Sequence, residues 1–112
     1  MSNYIFKKGD IIKLDFDPIR ETKIKGTYYA LVLSNDIFNK SSLALVAPIT
    51  QGSYHHDGGF TTSLMSAGTE TEGVIVVNAS KIIDLRVRKA KLKEKCPADI
   101  LEEVNAKFEA IL

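Results

Sequence analysis

The sequence predicts a mainly β protein: a small, strongly curved barrel or two-sheet roll of antiparallel strands closed by a C-terminal α-helix. Three observations carry this. Short apolar, β-branched runs separated by polar, Gly- and Asn-containing stretches recur from residue 11 to residue 85. The hydrophobic period then switches from that of strands to that of a helix in the last sixteen residues, beginning at Pro97. And 112 residues with 45% hydrophobic and 26% charged side chains suit one ordinary globular domain with a single modest core, spanning 1–112.

Taken in order, Ile11-Ile12-Lys13-Leu14-Asp15-Phe16 alternates, with Ile12, Leu14 and Phe16 expected on a buried face. Ile19 to Thr27 is too polar for a core and reads as a locally basic loop or loose hairpin arm. Tyr28 to Ser34 is a strand by aromatic and aliphatic content, and Asn35 is a cap for one short helical turn. Ala44-Leu45-Val46-Ala47-Pro48-Ile49-Thr50-Gln51-Gly52 organises the chain. Its apolar run is a core strand, and Pro48, lacking an N–H, belongs near a sheet edge or a strand end. The strand delivers the Thr50 hydroxyl and the Gln51 amide to the mouth of a polar loop from Gly52 to Gly59. Phe60–Leu64 has strand character, Val74–Val77 is a central strand, Ile82–Leu85 follows, and Arg86 to Lys95 is a basic strand or turn. Pro97 suits a first helical position, and Ile100, Leu101, Val104, Phe108, Ile111 and Leu112 form one helical stripe.

Composition narrows function. The formal net charge is +1, from 15 basic against 14 acidic residues, so any nucleic-acid site must arise from local charge segregation. Cys96 is the single cysteine, which excludes an intrachain disulfide or a cysteine metal cluster. The N-terminus lacks the apolar core of a signal peptide, no run approaches the ~20 apolar residues of a membrane span, and a cytoplasmic location is expected. There is no phosphate loop, dinucleotide fingerprint or His-Glu-x-x-His motif, and no metal or cofactor is expected. Acid–base chemistry is the class the residues support. Histidine as a residue type titrates near neutrality, which makes His55 or His56 the candidate base or acid, Thr50 and Gln51 offer hydrogen bonds to phosphate oxygens, and Tyr28, Tyr54 and Phe60 offer faces for unpaired bases. The same residues also fit blander roles: a solvated loop for the histidines and packing for Tyr28.

The ordered run Gly9-Asp10-Ile11-Ile12, Phe16-Asp17-Pro18, Leu31-Val32-Leu33-Ser34, Asn39, Val46-Ala47-Pro48-Ile49-Thr50 and Gly73-Val74-Ile75-Val76-Val77-Asn78 resembles the MazF/PemK (Kid) family of toxins. Val-Ala-Pro-Ile-Thr-Gln-Gly with the later Gly-Val-Ile-Val-Val-Asn most resembles the ChpB branch. The likeness runs from about Gly9 into the final helix. It implies an SH3-like barrel, a homodimer, and a toxin of a type II toxin–antitoxin pair: a metal-independent, sequence-specific endoribonuclease acting on single-stranded mRNA. The partners it implies are a cognate antitoxin and, together with that antitoxin, operator DNA.

By the same resemblance Thr50 matches the active-site threonine, Phe60 an aromatic of the substrate-side loop, and Val74 and Asn78 a strand lining the RNA groove. The family's Gly-x-Arg-Pro is here Gly26-Thr27-Tyr28-Tyr29, so Tyr28 stands where the arginine is expected. Thr22 and Lys23 replace a histidine and a glutamate of Kid-type members, and Val76 replaces an arginine. The expected catalytic set is therefore Thr50, Lys23, His55 and His56, with Tyr28, Lys25, Gln51, Phe60, Val74 and Asn78 binding RNA. Two other readings are a weakened member that binds antitoxin or RNA without cutting, and a CcdB-like gyrase poison. The latter ranks last, because that family depends on a C-terminal Trp-Gly-Ile while this chain has no Trp and ends Ala110-Ile111-Leu112.

Overall fold

The computed structural model describes residues 4–15, 27–51 and 59–112. Phe16, Lys23, Lys25, His55 and His56, with the two loops expected around them, lie outside the described residues. Within them the order is β1 (Asp10–Asp15), β2 (Thr27–Val32), α1 (Asp36–Asn39), β3 (Leu43–Thr50), β4 (Thr61–Ser63), β5 (Val74–Val76), a 3-10 turn (Val77–Ala79), β6 (Lys81–Asp84), β7 (Lys91–Lys95) and α2 (Ala98–Glu109). All strand pairings are antiparallel. The sheet runs β4-β5-β3-β2-β1-β7, and β6 pairs with β3 off that path, giving the barrel-like, mainly β fold with a terminal helix.

β3 holds this together because it pairs along both edges. On one side Val46–Ile49 register with β2; on the other its first half pairs β6 and its last two residues pair β5. Pro48 falls where the second edge changes partner, after Val46↔Lys81 and before Ile49↔Ile75. Pro48 meets the expectation of an edge or strand end: it is third from the end of β3, opposite Ala30, at the one stretch of β3 where the second edge has no partner strand.

Pairing also sets the two cores. Ile11, Leu31 and Ala47 are successive cross-strand partners and share one face with Ile49, Ile75 and Val77. The helix covers that face through Val104, fully buried, with Ile100, Leu101 and Phe108 half-buried. The opposite face gathers Ile12, Leu14, Ala30, Val32, Ala44 and Val46 beneath Ile83 and Leu85. β2 and β3 are thus covered on both faces and read as near-continuous apolar runs, whereas β1 is covered on both faces only at Asp10–Ile12 and keeps Lys13 and Asp15 exposed. Burying each large aliphatic side chain stabilises the fold by roughly 1.5–3 kcal/mol. Ile111 and Leu112, expected on the helical stripe, lie past the helix and are exposed. Asn35 caps α1 as expected, its Oδ1 accepting from the Phe38 N–H at 2.9 Å.

Buried polar groups tie the strands to their surroundings. Asp10, fully buried, accepts from the Lys95 ammonium at 2.6 Å, the Tyr4 hydroxyl at 2.7 Å and the Lys7 N–H at 2.9 Å. Glu94 of β7 fixes the segment leading into β5. Its carboxylate accepts from the Thr71 hydroxyl at 2.6 Å and from the N–H groups of Thr71 and Glu70 at 2.7 and 3.1 Å. Burial pushes the Glu94 carboxyl up, but these donors outweigh it and leave it below the usual glutamate range. A carboxyl held lower in the folded than in the unfolded chain adds stability that is present above the unfolded value, about 4.3, and is lost as pH falls through the folded value. Glu94→Gln is expected to lower the thermal midpoint at pH 7. The gap from wild type should narrow steadily in melts taken from pH 5 downward, and a gap constant with pH would contradict this role.

Candidate functional site at the end of the central strand

Register assembles the site. Thr50 pairs with Val74, and Val74 with Ser63. Tyr28 pairs with Leu14, and Tyr29 with Ile49, so one further step of the same register places Tyr28 across from Thr50. Directly paired residues project to the same side of a sheet. One row, Leu14–Tyr28–Thr50–Val74–Ser63, therefore crosses the sheet on the face of the second core, at the end of β3.

The close approach of Gly73 fixes that end. Gly73 has φ +124°, a conformation that side chains rarely adopt. A Cβ built there would lie 2.1 Å from the Thr50 carbonyl oxygen, so only glycine lets the two backbones meet. The Gly73 carbonyl in turn accepts from the Leu64 N–H at 2.9 Å, joining the far side of the site to the same point.

At this strand end the Thr50 hydroxyl is buried and has no hydrogen-bond partner, the one such side-chain oxygen or nitrogen among the described residues. Leaving a buried hydroxyl unsatisfied costs about 1–3 kcal/mol, so this group calls for an explanation, a bound water, a strain reservoir or a catalytic role among them. Gln51 is exposed just beyond it. A cavity of about 550 Å³ opens beside Gln51, lined by Gln51, Ser63, Met65, Thr69, Glu72 and Val74 among others but not by Thr50 or Tyr28. A larger cavity of about 710 Å³ lies at the opposite end of β3, beside Ser42, so size does not mark the site.

Tyr28 carries a second feature. Its hydroxyl accepts a hydrogen bond from the Arg88 guanidinium, whose central carbon stands 5.0 Å from the ring centroid. Arg88 is buried and braced against β1: its Nε donates to the Asp15 carbonyl at 2.7 Å, and its own carbonyl accepts from the Asp15 N–H at 2.9 Å. Phe60 is half-buried just before β4, its carbonyl accepting from the Val77 N–H at 2.9 Å. Asn78, expected on the strand, sits instead in the 3-10 turn after β5 and is exposed. The chain leaves the extended conformation at Val77, so β5 carries Val74 but not Asn78.

The structure thus brings Tyr28, Thr50, Gln51 and Val74 to one strand end and holds Phe60 and Asn78 beside β4 and β5. Lys23, Lys25, His55 and His56 lie outside the described residues. Sequence reasoning missed Arg88, which stood within a basic stretch read only as a strand or turn; no local pattern marks a side chain that reaches across to β2. The need for glycine at 73 was equally hidden, since only the Thr50 backbone imposes it.

The chain belongs to the PemK-like, MazF-like toxin family of type II toxin–antitoxin systems, whose sequence profile matches residues 7–112. It is 35% identical over 109 residues to the endoribonuclease toxin ChpB of Escherichia coli K12, covering 96% of this chain and 94% of that one. It is 30% identical over 113 residues to the endoribonuclease toxin MazF of the same strain, covering 100% and 98%. Among solved structures, MazF in a MazE–MazF complex from Deinococcus radiodurans superposes with a TM-score of 0.81 at 27% identity, covering 97% of this chain and 96% of that one.

Gly73→Ala is expected to destabilise the protein by about 3 kcal/mol through backbone strain and the clash with Thr50, measured by chemical denaturation. A variant as stable as wild type would show that the Thr50–Gly73 approach is not a constraint.

Proposed function

We propose that this protein is the toxin of a type II toxin–antitoxin pair and cleaves single-stranded mRNA at short sequences without a metal ion. The observation that carries the reading is the buried, unpartnered Thr50 hydroxyl at a strand end beside an open cavity, in a chain of an endoribonuclease toxin family. In the proposed reaction the ribose 2′-oxygen attacks the adjacent phosphorus as its proton is withdrawn. The bond from phosphorus to the 5′-oxygen breaks, and that oxygen takes up a proton. The products are a 2′,3′-cyclic phosphate and a 5′-hydroxyl. Thr50 donates to a non-bridging oxygen as negative charge develops on the phosphorane, and Gln51 supplies a second donor. His55 or His56 serves as the acid–base group, Lys23 and Lys25 contribute positive charge, and Phe60, Val74 and Asn78 contact the RNA.

The partners follow the same reading: a cognate antitoxin, a second copy of this chain in a homodimer, and operator DNA bound jointly with the antitoxin in the cytoplasm. The antitoxin is supported by the relatives solved as complexes of MazF with MazE. Among the described residues no helix is long and apolar enough to cross a membrane. A second reading, binding without cleavage, is favoured by Tyr28 standing where the family carries arginine. Tyr28→Arg creating cleavage in a silent wild type would establish it.

The purified protein is expected to cut a long single-stranded RNA in the presence of EDTA and leave 2′,3′-cyclic phosphate ends. Thr50→Ala should slow cleavage by about a hundredfold, the scale of one lost charge-stabilising donor. Intact RNA with folded wild-type protein, free of antitoxin, would overturn the reading.

A further inference from the structure

The cavity beside Gln51 has a hydrogen-bonding inventory that selects what can enter it. Glu72 is exposed on its wall, and among the described residues its carboxylate takes part in no hydrogen bond or ion pair. An ionised carboxylate only accepts. The Thr69 hydroxyl donates to the Thr71 carbonyl at 2.6 Å, so its proton is committed and its oxygen is left to accept. The Ser63 hydroxyl accepts from the Met65 N–H at 3.0 Å and keeps its own proton for donation. The Gln51 amide can do either. Met65 and Val74 add apolar surface to the same wall, Met65 being 82% exposed.

The segment that carries Glu72 is held on both sides. Before it, the Glu94 carboxylate accepts from the N–H groups of Glu70 and Thr71 at 3.1 and 2.7 Å. After it, Gly73 meets the Thr50 carbonyl and accepts from the Leu64 N–H at 2.9 Å. The Glu72 backbone is thereby placed before any ligand arrives, and preorganised groups discriminate best. Gly73 also sets the cavity against the end of β3. A wall bearing a free carboxylate repels phosphate, so what it accommodates beside a bound phosphodiester is a base and not the backbone. More acceptors than donors on that wall match a base edge that carries an amino group, as adenine, cytosine and guanine do. Uracil has one Watson–Crick N–H between two carbonyl oxygens, and those would set acceptor against acceptor.

We propose that this cavity is a base-recognition site and that Glu72 is its specificity-determining residue. Its carboxylate accepts from the exocyclic amino group of an adenine, cytosine or guanine that flanks the scissile phosphate, and it excludes uracil. This rests on the endoribonuclease reading above and names the feature of the RNA that the site reads.

Cleavage of a randomised single-stranded RNA pool by the full-length protein, with the cut ends sequenced, tests it. Wild type should disfavour uracil by about ten- to a hundredfold at one position flanking the cut, the scale of one good base contact. Glu72→Gln keeps the side-chain size and puts a donor where there was only an acceptor. It should admit uracil at that position and leave the preferences at other positions unchanged, with a thermal midpoint equal to that of wild type. On single RNAs, the preferred base is then replaced by its analogue without the amino group: purine for adenine, hypoxanthine for guanine or 2-pyrimidinone for cytosine. That replacement should lower kcat/KM of wild type about tenfold and leave Glu72→Gln nearly unaffected. A Glu72→Gln variant with the wild-type cleavage pattern overturns the proposal, as does an equal loss from the analogue in both proteins. A wild type that cuts RNA without disfavouring uracil at any position refutes this inference alone, while a wild type that leaves RNA intact refutes the endoribonuclease reading with it.

Discussion

The pairing of β3 along both of its edges is the constraint on which the rest of this structure depends. Its β2 edge fixes which residues of β1 and β2 face each core. Its other edge is shared in sequence by β6 and β5, so one strand sets the position of both the basic turn that carries Arg88 and the strand that carries Val74. The two cores, one under α2 and one under Ile83 and Leu85, are consequences of that register. A slip of one residue in β3 would send Val46 and Ala47 to each other's faces and separate Thr50 from Tyr28.

Placement of the site follows from where that strand stops. Polar groups elsewhere in the described fold are satisfied in detail: Asp10 by Lys95 and Tyr4, Glu94 by Thr71, and Thr62 by Glu103, which is in turn bridged by Lys107 at 2.9 Å. Against this background the unpartnered Thr50 hydroxyl is an exception, and it occurs beside a cavity and a glycine that must be a glycine. A buried donor kept unsatisfied lowers stability, and such costs concentrate where a ligand relieves them.

Much of this was legible in the residues. The Ala44–Thr50 run, the Asn35 cap, the Val74–Val76 strand and the amphipathic final helix all follow from local chemistry: β-branched content, a side chain that bonds its own backbone, and a change of hydrophobic period. The resemblance then singled out Thr50. What local chemistry does not encode is pairing at long range. Ile11 is buried as fully as Ile12 because the first half of β1 is covered on both faces, while Lys13 and Asp15 on the Ile11 face are exposed, which alternation alone does not announce. That the edge beside Pro48 stays open is set by where β6 and β5 stop and start along β3. Arg88 is sixty residues from Tyr28 along the chain, and nothing in Arg86-Val87-Arg88 shows that its guanidinium turns inward onto β2.

The central claim is that Thr50 trades stability for chemistry. The most direct measurement pairs thermal unfolding with RNA cleavage for Thr50→Val, which keeps the side-chain shape and removes only the unpartnered hydroxyl. The account predicts a variant at least as stable as wild type, by up to about 1 kcal/mol, that has lost cleavage. A variant that is clearly less stable, or one that still cuts RNA at the wild-type rate, would contradict it.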